Sequence, residues 1–168
     1  MELVVTMSVA TILLTLGVPA FQDLMKNNRL TTAANELVGA LSLARSEAIK
    51  RGVRVTVCKS STGADCANSG GWDQGWIVFT DPNKNAIFDS GEDLLRVREA
   101  VQSNLSITGN TNLSDYTSYV ARGHSQLTSG AFQAGTIKAC DDRTGNVGKS
   151  LVVSQSGRIR VETGASCT

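Results

Sequence analysis

The chain has 168 residues, with 16 Lys and Arg against 15 Asp and Glu, for a net charge of +1. That length holds one domain with a substantial core, and the near-neutral balance excludes a chain-wide attraction to nucleic acid or to any acidic partner, so such binding must come from a local patch. The apolar share, 41%, is ordinary, but it is unevenly distributed.

The first element begins "ELVVTMSVATILLTLGVPAF", residues 2 to 21, which is one carboxylate followed by nineteen residues without a charge. As a helix, residues 3 to 21 span about 28 Å, the thickness of a bilayer's hydrocarbon. A secretory signal peptide competes with this reading, because Val18-Pro19-Ala20 is like a small-residue cleavage site. The basic n-region is missing, however, and Glu2 stands in its place. After Phe21 the helical pattern continues. Leu30, Ala34, Leu37, Leu41, Ala44 and Ala48 recur at steps of four and three, with Leu24, Val38 and Ile49 widening the stripe. Lys26, Arg29, Glu36, Arg45, Glu47 and Lys50 fill the other faces, Gly52 supplies a stop, and Pro19 is placed to kink the rod. One helix over residues 3 to 51 is expected, about 73 Å long. Residues 1–21 form its membrane or filament-core half, 22–52 its amphipathic half, and 53–168 a globular head.

From Val53 the period changes to two. Segments 53–58, 75–81, 93–101, 105–108, 116–121, 135–140, 150–155 and 158–162 read as strands between Gly, Asn, Asp and Ser. Residues 102 to 115 are the most loop-like. Short strands without further helix predict antiparallel sheets, and the helix stripe needs a sheet face to cover it. The fold class is therefore α+β, a long helix packed on an antiparallel β head.

Four cysteines allow three pairings. Cys58 and Cys66 bracket a short loop, which suits a local staple, and a bond from Cys140 to Cys167 would hold down the C-terminus. A four-thiolate metal site is the alternative, although no Cys-x-x-Cys pair is present. Two disulfides imply an oxidising compartment, with the head outside the cytoplasm.

A glutamate opening a membrane-length helix, a proline in its second half, an amphipathic continuation and a disulfide-bearing β head together resemble a type IV pilin or pseudopilin. The segment "GWDQGWIVFTDPNKNAIFDSGEDLLR" (71–96) narrows the resemblance to the GspH/FimT family of minor pilins. This resemblance implies a pilin-like fold, an inner-membrane protein with a periplasmic head, and later incorporation into an extracellular fibre beside other pilin subunits. It also implies leader cleavage and N-methylation before Glu2, although here Met1 stands directly before it. An unpaired carboxylate near hydrocarbon needs a partner or a proton. The resemblance assigns that role to a neighbouring subunit's N-terminal amine and makes Glu2 a filament-assembly residue; a solvated, inert Glu2 is the alternative.

Two stretches carry candidate sites. "DPNKNAIFDSGE" (81–92) follows the ligand spacing of a calcium loop. Asp81, Asn83 and Asn85 stand at positions 1, 3 and 5, the Ile87 carbonyl at 7, Asp89 at 9 and Glu92 at 12. Ala86 replaces the usual Gly and strands flank the loop, so an Asx-rich hairpin capping its own backbone is the other reading. Bound Ca²⁺ would be structural, and no other cofactor is expected. In "SGRIRVETG" (156–164), Arg158 and Arg160 fall on one strand face and Ile159 and Val161 on the other, with Gly157 at the bend. Lys138, Arg143 and Lys149 lie in the same terminal third, where residues 136–168 hold five basic and three acidic side chains. Guanidinium pairs match phosphates without reading bases, whereas salt bridges to Asp141, Asp142 or Glu162 would neutralise them. "GRIR" has the Gly-Arg-x-Arg form of FimT-like minor pilins linked to DNA uptake in natural transformation, which implies duplex DNA as a partner.

Nothing in the chain points to catalysis. His124 is the only histidine and its neighbour Ser125 points the other way on an extended chain. No nucleophile elbow, P-loop or dinucleotide fingerprint occurs, and Trp72 and Trp76 read as packing residues. The expected function is a DNA-binding minor pilin; the alternative is a purely structural subunit of a pilus or a type II secretion pseudopilus.

Overall fold

The structure, a computed structural model, describes residues 2–101 and 104–168, with the backbone alone at helix positions 9, 10, 12, 14, 16, 17 and 19. Helix α1 runs unbroken from Glu2 to Arg51, through Pro19, a rod of about 75 Å. It ends where the Gly52 amide returns to the Ala48 carbonyl at 3.0 Å.

The two halves of the rod have opposite surroundings. Leu3 is 73% exposed and Phe21 63%, while Leu30, Leu37, Leu41, Ala44 and Ala48 are fully buried. Small Ala33, Ala34 and Ala40 extend the buried stripe and let the helix approach the head closely. Each fully buried leucine contributes roughly 1.5–3 kcal/mol, so this half is fixed by tertiary contact. Leu24 and Ile49 depart from the expected stripe. Both are about half exposed, because the buried stripe begins only at Leu30, beyond Leu24, and Ile49 lies at the stripe's edge. The expectation of a membrane-length segment falls partly on side chains outside the described set. Among the described residues no helix is long and apolar enough to cross a membrane.

The head has two four-stranded antiparallel sheets. In the first, β1 (Val55–Lys59), β2 (Trp76–Thr80), β3 (Leu94–Arg98) and β5 (Tyr116–Tyr119) lie in the order β3-β2-β1-β5. The second holds β4 (Ser106–Gly109), β6 (Gly135–Cys140), β7 (Gly145–Val153) and β8 (Ile159–Cys167) in the order β4-β6-β7-β8. One core unites the helix stripe with Val55, Val57, Trp76 and Val78 of the first sheet and Ile107, Ile137, Leu151 and Val153 of the second. Both tryptophans are buried, and Trp72 Nε1 donates to the Leu113 carbonyl at 2.9 Å. A second cluster, Cys58, Ile77 and Phe79, covers the other face of the first sheet, with Phe88 set edge-on to Phe79. Covered on both faces, β1 and β2 are buried along their whole length.

Three features differ from the sequence reading. Strand β7 starts at Gly145 and β8 reaches Cys167, each about five residues beyond the expected run. The added residues, Gly-rich and irregular in register around Gly148, are strand because they have partners, not because of propensity. Strand β4 falls where 105–108 read as strand, but the rest of the loop-like 102–115 segment holds a 3-10 turn over Thr111–Leu113, with Leu113 buried; residues 102 and 103 lie outside the described set.

Cysteine 58 bonds Cys66, and Cys140 bonds Cys167 with Cα atoms 5.7 Å apart. The second bridge joins β6 to β8 across β7. It passes over Gly148, where an added Cβ would stand 2.6 Å from Cys167 Sγ. Glycine is required there by close approach.

Candidate nucleic-acid interface

The turn between β7 and β8 is built by local hydrogen bonds. The Gly157 amide donates to Ser154 O at 2.8 Å, and the Ser154 amide to Arg158 O at 2.9 Å. Gly157 has φ of 76°, a left-handed conformation that disfavours a side chain. It is also buried, and a Cβ there would collide with the Gly123 carbonyl oxygen. The turn therefore seats against the loop after β5 and directs the following residues outward. Arg158 and Arg160 are both exposed.

Their partners differ. The Arg158 side chain makes no hydrogen bond or ion pair among the described residues. Arg160 Nη2 lies 2.9 Å from Glu162 Oε1, in a pair whose side chains are 60% and 52% exposed. Two residues apart on β8, they share one face. An exposed pair of this kind contributes about 0–1 kcal/mol, so a phosphate can displace the carboxylate cheaply.

The other basic residues do not join this pair. Lys138 is opposite Ser150, which is opposite Glu162, so one strand separates it from β8. Its Nζ donates to the Ser166 carbonyl at 3.0 Å. Lys149 alternates with Ser150 along β7 and is half-buried, which puts it on the other face. Arg143 is taken up completely. It grips Asp141 through Nε and Nη2, the latter at 2.6 Å, donates to Asn27 Oδ1 at 2.7 Å, and approaches Asp23 at 3.5 Å. This contact holds the β6–β7 turn against α1, helped by Lys26 paired with Asp142 at 2.9 Å. The hydrogen bonds from Arg143 keep the Asp141 carboxyl below the usual range and raise the guanidinium. The clamp is also remote. Asn27 touches Arg143, whereas Arg45, eighteen positions along the same helix, touches the Ser156 carbonyl, about 27 Å away by helical rise.

Arg45, one of the residues expected on the faces away from the apolar stripe, has a role that periodicity does not indicate. Its Nε donates to Gly123 O at 2.8 Å and its Nη2 to Ser156 O at 3.1 Å, tying both loops to the helix. Arg122, beside Gly123, is thereby brought to the same end of the head. No spacing in the sequence relates position 45 to positions 122 and 156. Only the fold does.

The 81–92 loop closes on itself. Asp81 is fully buried and accepts from Thr56 Oγ1 at 2.8 Å and from the Asn85 and Ala86 amides at 3.1 Å. Asp89 accepts from Asn83 and Asn85 side chains, which keep its carboxyl low. The Ile87 amide donates to Asn85 Oδ1, and Glu92 accepts from the Asp89 amide. Burial holds the Glu92 carboxyl above its ordinary range. Ala86 adopts φ of 58° where a calcium loop has glycine. These are the internal caps of an Asx-rich hairpin, and among the described residues no three acidic, His or Cys side chains converge to hold a metal. His124 stacks edge-on to Phe132, while buried Ser125 donates to Gln133 O and Ser154 O, so the two do not form a nucleophile and base.

Residues 33–157 match the family described as type II transport protein GspH. No curated protein sequence matches the chain significantly. Among solved structures, the type IV minor pilin FimU of Pseudomonas aeruginosa superposes with a TM-score of 0.62 at 23% identity, covering 86% of this chain and 99% of that one. The minor pseudopilin EpsH from the type II secretion system of Vibrio cholerae gives 0.57 at 8% identity, covering 83% and 99%. At these identities the likeness is one of fold.

Proposed function

The chain belongs to the GspH family, and from that premise we propose that it is a minor subunit of a type IV pilus whose head holds duplex DNA by its phosphates through Arg158 and Arg160. The observation that carries this reading is Arg158. It is exposed on a turn that Gly157 fixes against the head, and its guanidinium has no partner among the described residues. Guanidinium groups bind phosphate oxygens in a bidentate fork, and backbone contacts alone carry no sequence preference. Arg160 adds a second contact once Glu162 is displaced. Weak sites repeated along a fibre gain avidity, and retraction would then draw bound DNA inward, as natural transformation needs.

The N-terminal half of α1 supplies the anchor. Its charge-free run suits the inner membrane before assembly and a helix bundle in the fibre afterwards, with Glu2 facing a neighbouring subunit's N-terminal amine. Replacing Glu2 by Ala should lower incorporation into filaments; equal incorporation removes that pairing. The family description and the fold likeness to EpsH favour a second reading, a purely structural subunit of a type II secretion pseudopilus.

A gel shift with the full chain in non-ionic detergent separates the two. The DNA reading expects micromolar, sequence-independent binding. With two phosphate contacts, affinity should fall about tenfold between roughly 50 and 200 mM salt. Absence of binding at the lower salt leaves the structural reading.

A further inference from the structure

Three separate segments converge beyond the C-terminal end of α1 to line an open cavity of about 500 Å³. They are the helix-to-β1 link, the start of the 81–92 loop and the loop after β5. Arg54, Lys84, Arg122, His124 and Gln126 line the cavity, and no carboxylate does.

Arg54 is the unusual member. It is only 4% exposed, yet among the described residues it has no ion pair. Its Nη2 donates to Gln126 Oε1 at 2.9 Å and Leu127 O at 3.2 Å, its Nη1 to Gln126 O at 3.5 Å, and its Nε has no partner among the described residues. Neutral oxygens solvate the guanidinium without cancelling its charge, and a buried cation lacking a counter-ion is costly. The nearby acid does not serve. The Asp81 amide bonds the Arg54 carbonyl, but its carboxylate faces Thr56 and two loop amides. Lys84 and Arg122 are exposed at the rim, and neither side chain makes a hydrogen bond or ion pair among the described residues. Three full positive charges therefore share one concavity, and each raises the local potential for an anion.

We propose that this cavity is a binding site for a phosphate group, held by Lys84 and Arg122 at the rim under the field of buried Arg54. A phosphate dianion suits the charge better than a single carboxylate, because more than one cation remains to be neutralised. The volume exceeds that of the ion and falls in the range of small-molecule sites. It leaves room for the rest of a phosphorylated small molecule, or for a phosphodiester entering from a strand. The cavity lies at the same end of the head as the Arg158 turn, but neither Arg158 nor Arg160 lines it, so the site does not depend on their reading.

The test is amide chemical-shift mapping of the full chain in non-ionic detergent, titrated with inorganic phosphate, ribose 5-phosphate and a short DNA duplex. Phosphate should move the Gly52, Arg122 and His124 amides. Combined Lys84→Gln and Arg122→Gln, both at exposed positions, should weaken phosphate binding by about tenfold or more with the unfolding temperature unchanged. Arg158→Gln with Arg160→Gln should leave these shifts intact, which separates this site from the DNA-gripping turn. Duplex competing with phosphate assigns a phosphodiester ligand. Ribose 5-phosphate binding without such competition assigns a small molecule. Both outcomes uphold the site. Unmoved amides at about 50 mM phosphate, far above the affinity of a useful site, overturn it, as does equal affinity in the double variant.

Discussion

The two turns that border β7 each carry an arginine, and the two arginines have opposite fates. Arg143, before β7, has Asp141 two residues earlier and Asp23 and Asn27 on the facing helix, so its guanidinium is fully engaged. Arg158, after β7, makes no side-chain hydrogen bond or ion pair among the described residues, while its neighbour Arg160 takes the Glu162 carboxylate. Each turn contributes one guanidinium. Whether it is available depends on which carboxylates the fold brings within about 4 Å, because only near or partly buried partners compete well with water. One arginine fastens the head to its helix, and the other is left to meet a ligand.

The sharpest way to break this contrast is Arg158→Gln with Arg160→Gln. Duplex affinity at low salt should fall on the order of 100-fold, with about two units lost from the logarithmic salt slope. Unchanged binding would show that the turn does not hold DNA. Next, Gly157→Ala forces a side chain into a left-handed position already closed by Gly123, and should cost about 2 kcal/mol in urea unfolding. Arg143→Gln should destabilise by about 1–2 kcal/mol while leaving duplex affinity as it was. The same clamp has a pH signature. Because the folded Asp141 carboxyl is lowered, its stabilisation is fully present above the unfolded value of about 3.9 and is lost as pH falls through the folded value. Between about pH 5 and pH 3 the urea midpoint should therefore drop further in the parent than in the Arg143 variant. The smallest effect is expected of Glu162→Gln, which frees Arg160 and should raise duplex affinity about twofold.

Several parts of the molecule were legible in the residues. The stripe from Leu30 to Ala48, the eight strand segments and the local Cys58–Cys66 staple follow from periodicity, turn residues and short spacing. Leu24 and Ile49 were misplaced because a helical stripe does not say where its covering sheet stops. The ends of β7 and β8 were missed because Gly148 and its neighbours have little strand propensity and become strand through pairing. Of the basic patch, the adjacent members Gly157, Arg158 and Arg160 stay together. Lys138, Arg143 and Lys149 scatter, since proximity in the last third of the chain says nothing of sheet face or of a partner on α1.

By itself, the sequence determined what short-range rules control. It set a rod apolar all round in one half and along a stripe in the other, an antiparallel head, and a glycine-led arginine pair at a strand's start. Tertiary structure alone decided which cations are free. It drew Asp23 and Asn27 onto Arg143, sent Arg45 to the carbonyls of Gly123 and Ser156, and buried Arg54 with no counter-ion among the described residues. Those contacts join positions about 70 to 120 residues apart. Ionic interaction depends on distance and burial, neither of which local sequence encodes.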